Sequence, residues 1–492
     1  MTQSDNLSDR VIRGGFWVIG LRVIYQIFYF ARIIIVARIL SPDDFGLMGI
    51  AMLLMMSLQM FSQTGIDSAL IQKKTDIQGY LDVAWTILFI RGVVLYLFLY
   101  LIAPVAARFF NEPDAVLLIQ AIGLFYLFSS VGNIGVIYFL KELEFNKQFI
   151  YQGSKVLTEF VVAVVLAITL RNVWALVFGL LAGCLAQVII SYIIHPYRPR
   201  FCVNLLKVKE LLYFGKWIFG AGGLYFLITQ GDDIFVGKLL GVTMLGFYQM
   251  AYKISNTPAT EISKVVSDVT FPAYSKIQDD KDKLRSGLHK VLQIITITAF
   301  PLGCLIFILA PDFTLLFLGN KWMPMVPAVR VLAVVGLIRS IVSTGGALFW
   351  AVGKPKIETL LMTFQLLIIL ALIYPFTSNY GLVGASIVIL ISMFLTSIAC
   401  AFFQMRLTGL RLETYIQTIV VPLLGGIGLI VTIYLMNPIM SDNLIGFFML
   451  VIAGLISYGF IIISLFFILK IDIFNTLKRI ISQLRIEKNL LK

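Results

Sequence analysis

Loops cut this chain into apolar runs, each long enough to cross a membrane, and that interruption pattern constrains the fold more than any motif does. A helix needs about 20 apolar residues to span the hydrocarbon layer. The runs fall near 12–36, 44–65, 81–105, 115–139, 150–170, 173–194, 210–230, 234–256, 288–318, 326–351, 357–377, 381–405, 415–436 and 443–469, which predicts about 14 transmembrane helices. Within each run the apolar residues are continuous rather than alternating, which excludes a membrane β-barrel. Composition agrees: 59% of the 492 residues are hydrophobic and 13% charged, with a mean hydropathy of +0.94. A soluble domain sits nearer half apolar and a quarter charged, and has too little interior to hide the excess. The predicted class is an all-α polytopic membrane protein. The opening MTQSDNLSDR is polar and mixed in charge, and no small-residue cleavage site follows it. The first run is therefore read as a retained span.

The basic residues orient the spans. Alternate loops hold Lys73 and Lys74, Lys141 and Lys147, Arg198 to Lys209, Lys253 to Lys290, Lys354 and Lys356, and Arg406 and Arg411, together with both ends. The opposite loops hold Arg38, Arg108, Arg171, Lys238 and Lys321. This asymmetry predicts a multi-pass membrane protein with both termini cytoplasmic. It also accounts for the net charge of +13 without a nucleic-acid partner. The longest soluble stretch is predicted at 257–287, and the tail, 471–492, as an amphipathic cytoplasmic helix with Phe474, Leu477, Ile481 and Leu484 on one face.

The sequence repeats itself. At a shift of 200 residues, Gly15 meets Gly215, Trp17 meets Trp217, Gly20 meets Gly220 and Tyr25 meets Tyr225. Further on, Val36 meets Val236, Arg38 meets Lys238, Leu40 meets Leu240, Gly46 meets Gly246 and Ala51 meets Ala251. Six spans separate the copies, so both halves share one orientation, and parallel repeats of this kind are a transporter architecture. The predicted organisation is an N-lobe over 1–200 with spans 1–6, a C-lobe over 201–410 with spans 7–12, two further spans over 411–470, and the tail.

Charges inside the spans point to a path. Arg22, Arg32, Arg91, Lys216 and Arg339 have no local partner of opposite sign, whereas Lys155 has Glu159 one turn on. Facing lipid, each of the five would cost about 3 kcal/mol, roughly 15 kcal/mol together. They are expected to face a wet cationic lumen that binds substrate. Arg22, Gln26, Tyr29 and Arg32 share one helical face; Gln59 and Gln63 lie one turn apart; Tyr126, Ser129, Ser130 and Asn133 form a stripe, as do Arg339, Ser343, Gly346 and Trp350. Gln26, Tyr29, Gln59, Gln63 and Asn133 are the polar candidates for its lining; hydrogen bonding between helices is the competing reading. Acids in or near the spans are fewer: Asp67, Glu159, Asp232, Asp233 and Glu358. Asp232, Asp233 and Glu159 are candidates for a coupling cation, with ion pairing or helix capping as the alternative. Four dispersed cysteines and two histidines imply no metal, disulfide framework or cofactor.

The segment 14–51 resembles the opening of Wzx-type oligosaccharide flippases. Its AR-x-L-x-P-x-x-F-G element is Ala37, Arg38, Leu40, Pro42, Phe45 and Gly46, and Phe61, Gly65, Ile66, Ala69, Leu70, Ile71 and Gln72 follow as in that family. Residues 232–254 form the matching stretch of the second half. The likeness is to the branch of colanic-acid and teichuronic-acid exporters. It implies the multidrug/oligosaccharidyl-lipid/polysaccharide (MOP) exporter fold, two six-helix lobes related by a pseudo-two-fold axis plus two C-terminal helices. It also implies a transporter, not an enzyme, that exports undecaprenyl-diphosphate-linked oligosaccharides by alternating access, a monomer working among membrane lipids and beside polysaccharide assembly machinery. The family supplies no catalytic residue to carry over. A multidrug or lipid II exporter of the same fold is one alternative. A membrane glycosyltransferase or polymerase is another, although no carboxylate or histidine constellation for it stands in the sequence.

Overall fold

A computed structural model describes residue 20 and residues 24–73, 77–440 and 443–469. Arg22 and the predicted amphipathic tail lie outside the described residues. The described residues are helical, with no strand among them. Nine of their helices are long and apolar enough to cross a membrane, or ten if one bent pair counts as a span.

The chain forms two compact units, one from residues 1–250, 317–325 and 366–388, the other from 251–316, 326–365 and 389–492. The first unit contains α1 (24–39), α2 (Pro42–Phe61), α3 (Ile66–Gln72), α4 (Gln78–Phe110), α5 (Ala115–Ser130), α6 (Ile137–Lys141), α7 (Phe145–Leu170), α8 (Trp174–Ile194), α9 (Leu205–Leu240) and the opening turns of α10 (Val242–Lys276). The rest of α10, with α11 (Lys281–Phe313), α12 (Val326–Ala351), most of α13 (Pro355–Thr408), α14 (Leu412–Met440) and α15 (Leu444–Leu469), builds the second.

Local chemistry sets the helix ends. Ser41 caps α2 by accepting the Asp44 N–H while the Asp44 carboxylate accepts the Ser41 N–H, and Pro42 takes the first helical position. Asn204 caps α9 by accepting the Leu206 and Lys207 N–H groups, and Asp280 caps α11 by accepting those of Asp282 and Lys283. The Lys283 ammonium and the capped N–H groups hold the Asp280 carboxyl below its ordinary range. The 54-residue α13 is two helices joined at Gly381, whose φ of 57° and ψ of −137° suit only glycine. Its two arms fall on the predicted spans 357–377 and 381–405. The outer faces are apolar, as lipid requires: Ile456, Phe460 and Phe467 of α15 are each at least two-thirds exposed.

Three expectations need correction or refinement. The fourth span, predicted straight over 115–139, ends at Ser130 and bends by 71° into α6. Ser129 and Ser130 turn their hydroxyls back onto the carbonyls of Tyr126 and Leu127, and Asn133 then caps a short 3-10 turn, Ile134–Val136. The Tyr126–Asn133 stripe therefore does not continue along one helix. The stretch 257–287, predicted only as soluble, is built of two helices, because α10 runs to Lys276 and α11 starts at Lys281. The charges there (Lys253, Glu261, Lys264, Lys276) also explain why α10 falls short of a membrane span by apolarity. Thirdly, α9 reaches Leu240, so the break predicted between 230 and 234 lies at Gly241, with φ of 87°.

The 200-residue repeat is also a spatial symmetry within the first unit. A Cβ on Gly46 would overlap the Val242 carbonyl, and a Cβ on Gly246 would overlap the Pro42 carbonyl. Residues 42 and 46 thus meet the repeat mates of 46 and 42. Thr243 donates its hydroxyl to Asp43, which is its own mate. Arg38 donates to the Phe317 carbonyl at 3.0 Å, at the end of the third span of the second half. Lys238 donates to the Phe109 carbonyl at 2.6 Å, at the end of the third span of the first half. Helix C-termini leave carbonyls without partners, and cations suit them. Lys321 caps the end of α1 by donating to the carbonyls of Arg38 and Leu40, and the fully buried Trp322 indole donates to that of Ala37 at 2.9 Å. Three of the five sparse basic residues, Arg38, Lys238 and Lys321, are therefore structural caps.

Candidate functional site

Among the described side chains, Arg32, Arg91, Lys155 and Arg339 each meet a named group. Arg32 of α1 pairs with Glu159 of α7 and lies 5.7 Å from the Tyr29 ring. Glu159 was expected to pair with Lys155, one turn away. It meets Arg32 across two packed helices instead, while the Lys155 ammonium lies 5.1 Å over the Phe125 ring. Tyr29 stacks on Tyr25 with centroids 6.0 Å apart, and Gln26 keeps a buried Oε1 without a hydrogen bond. Arg91 of α4 donates to Ser62 Oγ at 2.7 Å and to Gln59 Oε1 at 3.4 Å. That brings together two predicted site residues, Arg91 and Gln59. Gln63 lies just past the end of α2. Lys216 stands on α9, with its side chain outside the described residues.

Three other candidates, Asn133, Asp232 and Asp233, hydrogen-bond between neighbouring elements. Asn133 is 2% exposed; its amide donates to the carbonyls of Tyr197, His195 and Ser191, and its Oδ1 accepts the Gly135 N–H. It ties the α5–α6 bend to the end of α8. His195 closes the same junction. Burial there, reinforced by Lys147, pushes its imidazole below its ordinary value. Asp232 accepts the Tyr248 hydroxyl at 2.7 Å, and Asp233 accepts the Gln249 amide at 3.3 Å. Both buried carboxylates link α9 to α10. Among the described residues, no group of three or more His, Cys, Asp and Glu side chains is placed to hold a metal ion.

The second unit contains the predicted α12 stripe. Arg339 donates to the Tyr252 hydroxyl and lies 5.3 Å over that ring. One to three turns on, Ser343, Gly346 and Trp350 line a cavity of about 620 Å³ with Glu358, Gln365 and Thr396. Glu358 accepts the Trp350 indole N–H. The sequence marks one wall of this cavity through the stripe. Glu358 and Gln365 come from α13, and their convergence needs the fold.

Spans kept apolar outside, polar and cationic groups within them, and an internal repeat made geometric define a polytopic membrane transporter. The chain belongs to the polysaccharide biosynthesis protein family, whose model matches residues 35–327. It is 25% identical to the lipopolysaccharide biosynthesis protein WzxC of Escherichia coli (strain K12), over 89% of this chain and 90% of that one. It is 26% identical to the succinoglycan biosynthesis transport protein ExoT of Rhizobium meliloti (strain 1021), over 65% and 67%. The solved structure of the lipid II flippase MurJ, in an inward closed conformation, superposes with a TM-score of 0.71 at 15% identity, covering 93% of this chain and 99% of that one. The MOP exporter fold expected from the resemblance is the fold observed.

Proposed function

We propose that this chain is a flippase that moves polyprenyl-diphosphate-linked oligosaccharide repeat units, with undecaprenyl as the lipid, across the bacterial cytoplasmic membrane by alternating access. The observation that carries the reading is the retention of arginines within apolar spans, where hydroxyl and amide groups hold their guanidinium forks. Arg91 donates to Ser62 and Gln59, and Arg339 to Tyr252. Hydroxyl and amide acceptors orient a guanidinium, and its planar fork matches phosphate oxygens. Arg22, Arg32 and Lys216 complete the proposed cationic lumen, Arg32 with its charge matched by Glu159. The family and the names of the relatives support polysaccharide precursors as cargo. The polyprenyl tail stays in the lipid, since its burial is worth about 0.8 kcal/mol per methylene. Only the headgroup then needs a polar path, and no catalytic cluster is required. The chain works as a monomer that delivers cargo to polysaccharide assembly machinery.

The test is lipid-linked repeat units on the inner leaflet. Arg91→Ala and Arg339→Ala should make them accumulate with the protein still inserted, while Arg→Lys at either position keeps partial export, because charge survives and the fork does not. Wild-type export with alanine at all five basic positions would sink the diphosphate reading.

Fourteen spans with both termini cytoplasmic complete the proposal, and the loop charges support it. Single cysteines placed beside Lys281 and Lys356 should resist an impermeant thiol reagent applied to intact cells. Those beside Arg108, Arg171 and Asn379 should react. Labelling beside Lys356 from outside would overturn this topology.

A further inference from the structure

We propose that the cavity in the second unit is a subsite for an uncharged sugar ring of the cargo, with Trp350 as its stacking platform and Glu358 as its hydroxyl acceptor; this rests on the flippase reading above. At about 620 Å³ the cavity has the size of a small-molecule site. Its lining carries a carboxylate, an amide and hydroxyls, and no lysine or arginine. A diphosphate would meet only repulsion from Glu358, so this is not where the anionic headgroup sits.

The chemistry suits a sugar. Trp350 is 60% exposed although it lies at a cavity wall, so the indole is available to the apolar C–H face of a pyranose. The hydrogen bond from its N–H fixes the Glu358 carboxylate, leaving acceptor capacity for ligand hydroxyls. Gly346 keeps that space open: a Cβ there would lie 3.2 Å from Glu358 Oε1. Gln365, 8% exposed, lines the cavity with a group able both to donate and to accept.

The spacing links the two readings. Arg339 precedes Gly346 by seven residues on the same face of α12, about 10 Å at 1.5 Å per residue. A cation for the diphosphate and an acceptor-rich pocket for the sugars thus lie along one helix, in the order in which a lipid-linked oligosaccharide carries them.

The experiment compares two lipids bound to the full-length protein in nanodiscs. One is undecaprenyl diphosphate; the other is the same lipid carrying a neutral hexose trisaccharide. Trp350→Ala and Glu358→Gln should each weaken binding of the trisaccharide lipid at least tenfold and leave the sugar-free lipid within twofold. Arg339→Ala should weaken both. Equal losses on both lipids, or none, from Trp350→Ala and Glu358→Gln would overturn the subsite. Failure of Arg339→Ala to weaken the sugar-free lipid would instead count against diphosphate recognition and leave the subsite standing. Thermal unfolding of each variant guards against misfolding, and Trp350→Phe, which keeps a ring, should restore most of the trisaccharide binding.

Discussion

Gly46→Ala and Gly246→Ala should each remove most of the folded protein from detergent extracts. At both positions the new methyl would overlap a backbone carbonyl of the repeat mate's turn, Val242 for Gly46 and Pro42 for Gly246. A side chain can swing away from a methyl, but a carbonyl at a helix N-terminus moves only with its helix. The loss should therefore exceed the roughly 1–3 kcal/mol of ordinary overpacking. Size-exclusion chromatography after a temperature ramp would measure it. Gly153→Ala is the control: it lies within α7 with nothing within 4 Å of the added carbon, and alanine favours a helix by about 1 kcal/mol over glycine. Its midpoint should hold or rise. If Gly46→Ala behaved like Gly153→Ala, the close crossing at the centre of the repeat would be wrong. Because the two crossings are symmetric, the two alanine variants should also resemble each other.

Breaking the Arg32–Glu159 pair should be the most damaging single change of charge. The side chains are 21% and 16% exposed, so removing either one leaves a largely buried charge without its partner. Such losses run to about 3–5 kcal/mol, whereas replacing both partners by apolar residues is often close to neutral. Glu159→Leu and Arg32→Leu are therefore each expected to lower the thermal midpoint sharply, and the double variant is expected to recover much of it. A double-mutant cycle on unfolding midpoints measures the coupling. Additive losses would show that the two side chains do not depend on each other, and would remove the α1–α7 clamp. Recovery of folding without recovery of export would separate the structural part of Arg32 from its place in the proposed lumen.

The sequence by itself determined the class, the repeat and one wall of the cavity. Hydropathy acts over about 20 residues, so the lipid-facing runs could be read without any partner. The shift of 200 residues was legible because the symmetry constrains particular residues, Gly46 and Gly246 above all, where two backbones cannot meet unless both lack a Cβ. The stripe Ser343, Gly346 and Trp350 was legible because one helix carries all three at helical spacing. Helical spacing misled where a local competitor intervened. The hydroxyls of Ser129 and Ser130 and the Asn133 amide bond to backbone, so the helix bends and the stripe ends. The Lys155–Glu159 expectation used the nearest charge, but Arg32 reaches Glu159 from another helix.

Only the tertiary structure decided which partner each buried polar group received. Arg38, Lys238 and Lys321 look alike in a count of loop charges. Each caps carbonyls that no window of sequence identifies, because those carbonyls come from the far ends of other helices. Glu358 reads in sequence as one acid near a span, and becomes a sugar acceptor in the proposal because α13 carries it against Trp350 of α12. The physical reason is the range of the forces. Apolar burial in lipid is a property of each segment, whereas hydrogen bonds and ion pairs act over a few ångströms and belong to whichever helices the packing makes neighbours.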